Sequence, residues 1–426
     1  MDIHREKIKD FIIFRDLCYE EVRESIMSKK LSVDTVVIIY EKDQIKISHL
    51  KLLPRIRPKK DFFEYTILHL ALYVHDDEFV DFLLENNADT KLETEDLAPV
   101  ILSAILLNRL KYVEKLVTAG YTLLEFAVNQ NAYEIAEFLI SQGANVHVRI
   151  GNDEEISDSP MGIAALANNA EMLKLLIKHG ADINAGDING VTPLMRAAIE
   201  NDNSATRRFL LTQPVIEINS LTNNKRSCLH FPEIWYIEYH ILDPESSLRD
   251  LLNAGCDINI VSDHGELPID SYGDKKECLE VMKKHIVKLI AAGFYVCERN
   301  KEAVSGSKFK NFRVQCDTEV EVMKNTYGIM AGFSLFEILH KSYHKLALRT
   351  KDGDEDKFDE KMAAKFPLYA GMIKYRLEKA GQRRKLFNQV EDILYKVFSR
   401  YLPATIIHEM FFYFSNFELS KLVEIE

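Results

Sequence analysis

Six stretches of this chain end an amphipathic helix at Gly, or at a residue that can replace it, and follow it with a short Ala-Asp-Ile-Asn-like segment. Lys178-His179-Gly180-Ala181-Asp182-Ile183-Asn184 and Asn253-Ala254-Gly255-Cys256-Asp257-Ile258-Asn259 are the clearest. Helices commonly close on a left-handed residue, where a Cβ is penalised, so Gly is preferred and Asn comes next. A unit of this kind buries its apolar face only against its neighbours. Repetition therefore implies a stacked array, which presents an extended binding surface and rarely a catalytic one. With Gln213, stopped by Pro214, as a weaker seventh ending, the equivalent positions are Asn87, Gly120, Gly143, Gly180, Gln213, Gly255 and Gly293, at intervals of 33, 23, 37, 33, 42 and 38.

The unit openings carry a second signature. Thr66-Ile67-Leu68-His69-Leu70-Ala71, Ser159-Pro160-Met161-Gly162-Ile163-Ala164 and Thr192-Pro193-Leu194-Met195-Arg196-Ala197 resemble the Thr-Pro-Leu-His-x-Ala opening of ankyrin repeats. Thr or Ser caps the first helix, Pro presets its first turn, and Ala lets the paired helix approach. The interval of 23 implies a unit without its hairpin extension. The interval of 42 implies an insertion, placed at Phe231 to Pro244, and inserted loops in solenoids often line the binding face.

Residues 1–63 are expected to form an N-terminal helical cap or a degenerate repeat, and 64–302 an ankyrin array of about seven units. Ser305-Gly306-Ser307 reads as a joint. Helical periodicity resumes over Glu319 to Met330, Ser334 to Leu348, Phe366 to Glu378 and Arg384 to Arg400. The fold class expected is all-α, a solenoid followed by a helical domain over 303–426.

The last stretch, from Leu402, carries Pro403 at a helix start and an apolar stripe of Ile406, Ile407, Met410, Phe411 and Phe414 at spacings of three and four. Ser415 and Glu418 form a capping-box pattern that opens a second short helix bearing Leu419 and Leu422. This resembles the opening half of an F-box, with Glu418-Leu419 where Asp-Leu is usual, and the chain stops at Glu426 before a final F-box helix. Together with the repeats, it is similar to the poxvirus-type ankyrin proteins with a C-terminal PRANC domain. Cys316-Asp317-Thr318-Glu319-Val320-Glu321-Val322-Met323-Lys324, Phe366-Pro367-Leu368-Tyr369 and Val390-Glu391-Asp392 also resemble landmarks of that domain. The resemblance implies an F-box-like end at 401–426 that docks a Skp-type adaptor of a cullin-RING ubiquitin ligase.

Composition narrows the alternatives. With 47% hydrophobic and 28% charged residues the chain is a folding one. Its net charge of −12 argues against generic nucleic-acid binding, which relies on Lys and Arg. The acidity lies before Ala303; from there on, 20 basic residues face 17 acidic ones. The six cysteines lack zinc spacing, and His340 and His344, one turn apart, lack a third ligand, so neither metal nor cofactor is expected. Met1 to Lys7 lack the apolar core of a secretory signal, and no apolar run reaches the ~18 residues that span a bilayer. No membrane partner is expected, and the location implied is cytoplasmic, with the nucleus also open to it.

The basic cluster Arg383-Arg384-Lys385, with Lys374, Arg376 and Lys379, reads as a solvated helix face. Trp235, Tyr236 and Tyr239 are candidate target anchors, with packing between helices an equal alternative. No nucleophile–base, phosphate-loop or paired-acid pattern stands out, so the chain is expected to be no enzyme. The reading is a substrate-recruiting adaptor. Its alternative is an ankyrin decoy that sequesters a signalling protein of an NF-κB-type pathway.

Overall fold

The computed structural model describes residues 11–13, 19–40, 62–91, 100–117, 123–147, 159–199, 204–230, 244–273, 275–351, 353–398, 403, 406 and 414–423. They are mostly helical and fall into two compact units, Met1–Val148 and Arg149–Glu426. The stretch expected as one array over 64–302 is thus divided between the units. The first holds the helix pairs Ile67–Tyr73 with Asp77–Glu85, Val100–Leu106 with Leu110–Leu116, and Leu123–Asn129 with Tyr133–Ser141. The second opens with Pro160–Leu166 and Ala170–Lys178, then Pro193–Ile199 and Ser204–Thr212. In its next two repeats the first helix shrinks to a 3-10 turn, Cys228–His230 before Pro244–Ala254 and Pro268–Tyr272 before Lys276–Ala291.

The opening motif acts as a set of caps. Oγ1 of Thr66 accepts the His69 N–H at 3.3 Å, Oγ of Ser159 the Gly162 N–H at 3.1 Å, and Oγ1 of Thr192 the Met195 N–H at 3.3 Å. His69 Nδ1 lies 2.7 Å from Thr66 Oγ1, and His230 Nδ1 lies 3.0 Å from Ser227 Oγ. Burial pushes the His230 pKa down. Both imidazoles hold structure.

At the unit endings, Asn87, Gly143, Gly180, Gly255 and Gly293 take positive φ, whereas Gln213 does not. Gly120 lies outside the described residues. A second left-handed series, not expected from the sequence, sits in the turn between paired helices: His75, Asn131 and Asn168 precede Asn87, Gly143 and Gly180 by the same twelve residues. The pairs that end at Asn87, Gly143 and Gly180 share one length, so the uneven intervals before Gly143 and Gly180 arise in the segments that join pairs.

The N-terminal segment corrects the expectation of a purely helical cap. Among the described residues it holds one helix, Tyr19–Met27, and three strands, β1 Phe11–Ile13, β2 Val36–Tyr40 and β3 Phe62–Thr66. β2 pairs parallel with β1 and antiparallel with β3. Val36-Val37-Ile38-Ile39-Tyr40 and Phe62-Phe63-Glu64-Tyr65-Thr66 are β-branched and aromatic runs that favour a pleated surface. The helix nevertheless ends as a repeat does. Lys29 is left-handed, its N–H reaches Ile26 O, and the Lys30 N–H reaches Ser25 O, as Gly180 and Ala181 reach Ile177 O and Leu176 O.

After the repeats come helices Lys310–Lys324, Leu335–His340, Tyr343–Ala347, Glu360–Lys365, Ala370–Phe398 and Asn416–Val423. The two helices expected over Phe366 to Arg400 form a single one of 29 residues. The Ser305 to Ser307 stretch is no loose joint, because Val287 and Ala292 of the last repeat share a core with Phe309, Cys316, Val320 and Tyr369. The Cys-x-x-Glu landmark has a structural role: the Glu319 carboxylate accepts the N–H groups of Leu368 and Tyr369, just before the long helix begins. Partial burial raises its pKa, against the pull of those bonds.

Candidate functional site

Asparagines position the repeats of the second unit. Asn184 Oδ1 accepts the Glu217 N–H at 2.9 Å and its Nδ2 donates to Val215 O at 2.9 Å. Asn219 Oδ1 accepts the Asp257 N–H at 2.8 Å, and Asn259 Oδ1 the Cys297 N–H at 2.9 Å. The last residue of the Asp-Ile-Asn signature is thus a rung joining one repeat to the next. Asp34 of the first unit acts alike, accepting the Asp89 N–H at 2.7 Å.

Three turns project beside these rungs, at Asp187–Val191, Thr222–Arg226 and Ser262–Glu266, each closed by a backbone bond between its ends. They are joined to one another. The Asn223 N–H donates to Asn189 O at 2.9 Å, Asn223 Nδ2 to Ile188 O at 2.9 Å, and the Asp263 N–H to Asn224 O at 3.0 Å. Gly190 is required, since φ is +78° and a Cβ would come within 3.0 Å of the Thr222 and Asn223 backbone. The first turn is also clamped from inside: Asp187 accepts the N–H groups of Asn189 and Val191 and pairs with Arg196 at 2.8 Å, both side chains being buried. On this braced row Ile188, Leu221 and Val261 are exposed, at 53%, 44% and 49%. Trp235, Tyr236 and Tyr239, the anchors expected from the sequence, lie outside the described residues. The exposed apolar row was missed because its members sit singly, without a periodic pattern.

The terminal stripe divides. Leu402, Ile407, Met410 and Phe411 lie outside the described residues. Pro403 is exposed and Ile406 is 42% exposed. The capping box forms as expected, with Ser415 N–H donating to Glu418 Oε2 at 2.7 Å and Glu418 N–H to Ser415 Oγ at 3.2 Å. Those bonds hold the Glu418 pKa down. Leu419, however, is wholly buried with Ala347, Leu386, Phe387, Val390 and Leu394, and Phe414 and Leu422 pack against that cluster. Leu419 therefore leaves the set of candidate docking residues. The Leu419, Leu422 and Val423 side of this helix closes the protein's own core.

The basic cluster is corrected as well. Arg376, Lys379 and Arg383 share a face of the long helix at spacings of three and four and turn inward. Arg376 donates to Ile338 O and Lys341 O, Lys379 to Gln213 O, and Arg383 to Phe414 O and Asn416 Oδ1. The Ile338, Lys341 and Gln213 carbonyls belong to helix C-terminal ends, whose partial negative charge favours cations. Tyr375 Oη adds a bond to Leu211 O at 3.3 Å and Asn416 Nδ2 one to Pro214 O, so the tail is fastened across the ending of the Ser204–Thr212 helix. The two histidines also part: His340 stacks on Phe294 with centroids 4.5 Å apart, while His344 lies 3.3 Å from Arg383 Nη2 and burial lowers its pKa to about 4.

Residues 124–222 match the family of ankyrin repeats, in three copies. The chain is 24% identical to the ankyrin repeat protein FPV031 of fowlpox virus over 70% of its own length and 90% of that protein. It is 21% identical to the ankyrin repeat protein OPG189 of variola virus over 68% of its length, spanning 56% of that relative. Mouse Rabankyrin-5 is 34% identical over 23% of this chain and 9% of its own. Ankyrin arrays act by binding other proteins, and no helix among the described residues is long and apolar enough to cross a membrane. Residues 124–222 carry ankyrin repeats, and over 70% of its length the chain is similar to a poxvirus ankyrin repeat protein.

Proposed function

We propose that the braced turns of the second unit capture a target protein and that the segment opened by Pro403 and Ile406 engages a Skp-type adaptor of a cullin-RING ubiquitin ligase. The observation that carries this reading is the contrast between Ile406, exposed, and Leu419, buried in its own domain. An apolar residue left in water at the start of a helical stripe is available to a partner's groove. Joining two binding modules raises the effective concentration of one partner near the other, so the chain itself performs no chemistry. Because the tail is fastened to Gln213 and Pro214, the target is presented at a set offset from the ligase instead of on a loose tether. The PRANC-like landmarks extend the proposal to modulation of host signalling. Affinity purification tests it: intact protein recovers the Skp-type adaptor with its target, and Ile406→Asp keeps the target and loses the adaptor. Adaptor recovery unaffected by that change refutes it.

The packing of Phe414, Leu419 and Leu422 favours a second reading, in which the terminal helices only cap the fold and the array sequesters its target. Under that reading Ile406→Asp changes neither target capture nor target abundance in cells.

A further inference from the structure

A cavity of about 330 Å³ opens between the Pro244–Ala254 and Lys276–Ala291 helices of the repeats and the long helix of the tail. Leu252, Leu289, Leu339 and Met372 give it apolar walls. Arg376, Tyr343 and His285 face it together with the polar residues Asn253, Asp257, Asn259 and Tyr295.

Arg376 directs Nε to Ile338 O at 2.7 Å and Nη2 to Lys341 O, and its guanidinium lies over the Tyr343 ring at 4.7 Å. Nη1 has no hydrogen-bond partner and the side chain no carboxylate partner among the described residues. Asp257, the one carboxylate among the lining residues, is exposed, and its Oδ1 accepts the Asn259 N–H at 2.8 Å. His285 is 4% exposed, and its ring makes no hydrogen bond among the described residues. Burial pushes its pKa down to about 3, so it stays neutral and adds a donor without a second charge. Burial raises the Tyr343 pKa and keeps its hydroxyl a donor, also without a partner among the described residues. A half-buried cation and unpaired donors beside apolar walls are placed to meet an acceptor that a ligand brings.

We propose that this cavity is a binding site for a small organic carboxylate with a compact apolar body. One half-buried positive charge matches a monoanion; a phosphate dianion would bring an uncompensated charge beside apolar walls. The volume falls at the small end of ligand pockets, and the division into apolar walls with few convergent donors is typical of them. The site is independent of the turns at Asp187 to Glu266 and of the terminal stripe.

The test is titration of the full chain near neutral pH with 3-phenylpropionate and, separately, with 3-phenylpropanamide, read by calorimetry and by the shift in melting temperature. The acid binds about tenfold or more tighter than the amide, because only the acid meets the charge. Tyr343→Phe keeps the ring and weakens the acid about three- to tenfold. Arg376→Met removes the preference for acid over amide. Should Arg376→Met lose its cooperative melt, Tyr343→Phe and the acid–amide pair on unaltered protein still decide. Equal affinity for the two probes, no saturable binding of the acid, or acid binding untouched by Tyr343→Phe overturns the proposal.

Discussion

The second-unit repeats and the tail join their helices by different means. In the repeats the groups that recur in register are neutral: Asn184, Asn219 and Asn259 each place a side-chain amide on the backbone of the following repeat, while the cations that cross between repeats, such as Arg207 and Arg226, each meet a carboxylate, Asp250 and Glu266. In the tail the connecting groups are cations, each used once: Arg376, Lys379 and Arg383 reach different carbonyl clusters from one helix face. A neutral rung can be copied along an array because both its partners are copied with it. Buried cations suit a single docking event, since each must be desolvated and needs its own acceptor. Growth by repetition and attachment of a terminal domain thus leave different chemistry behind.

The largest effect that can break this contrast is expected where a repeat holds an ion pair with both side chains buried, at Asp187–Arg196. Asp187→Ala strands a buried guanidinium and leaves the Asn189 and Val191 N–H groups without their acceptor. It should lower stability by about 3–5 kcal/mol, seen as a fall in the urea midpoint. If the loss is under about 1 kcal/mol, the pair is not what braces the first turn, and neutral contacts suffice there too. Next in size are the rungs. Asn184→Ala, Asn219→Ala and Asn259→Ala should each cost about 0.5–1.5 kcal/mol, and by similar amounts, because each removes a hydrogen bond to an equivalent backbone N–H. Widely unequal losses would mean the rungs are not interchangeable.

Lys379 tests the tail. Burial lowers its pKa from the ordinary 10.5 to about 7. The unfolded chain then binds the extra proton between those values, so this group makes stability fall as pH drops from about 10.5 towards 7 and rise in the other direction. The slope it contributes is at most about 1.4 kcal/mol per pH unit. Melting temperature should climb from pH 7 to 8.5, and Lys379→Met should flatten the climb, which isolates this group from Lys288, also lowered by burial. An identical slope in both proteins rules out a desolvated Lys379.

How far the sequence could be read follows the same division. Gly143, Gly180, Gly255 and Gly293 announced helix endings because positive φ restricts residue type, and Thr66, Ser159 and Thr192 announced helix starts because a cap needs a side-chain oxygen. The partners of Arg376, Lys379 and Arg383 are main-chain carbonyls, which every residue carries, so nothing in the letters marks Gln213 or Ile338 as an acceptor. The reading of that cluster as a solvated face holds for the exposed Lys374 and Lys385 and failed for Arg376, Lys379 and Arg383 for this reason. At the N-terminus, the repeat-like ending at Lys29 was hidden because neither Lys29 nor Asp34 is the usual residue, although their backbone bonds are the same. Periodicity identified the apolar members of the terminal stripe but carried no information on which of them their own domain would claim.

That stripe supplies the smallest expected change in stability. Ile406 already lies 42% in water, so Ile406→Asp removes little buried area and should alter the urea midpoint by no more than about 0.5 kcal/mol. At Leu419, wholly buried, truncation to Ala should cost about 2–5 kcal/mol through lost contacts and the space left behind. The two substitutions therefore separate docking from folding within one short segment. Loss of adaptor recovery in the folded Ile406→Asp protein assigns the exposed start of the stripe to a partner, whereas a loss of stability at Ile406 as large as at Leu419 would place both residues in the same core and leave the segment with a structural role alone.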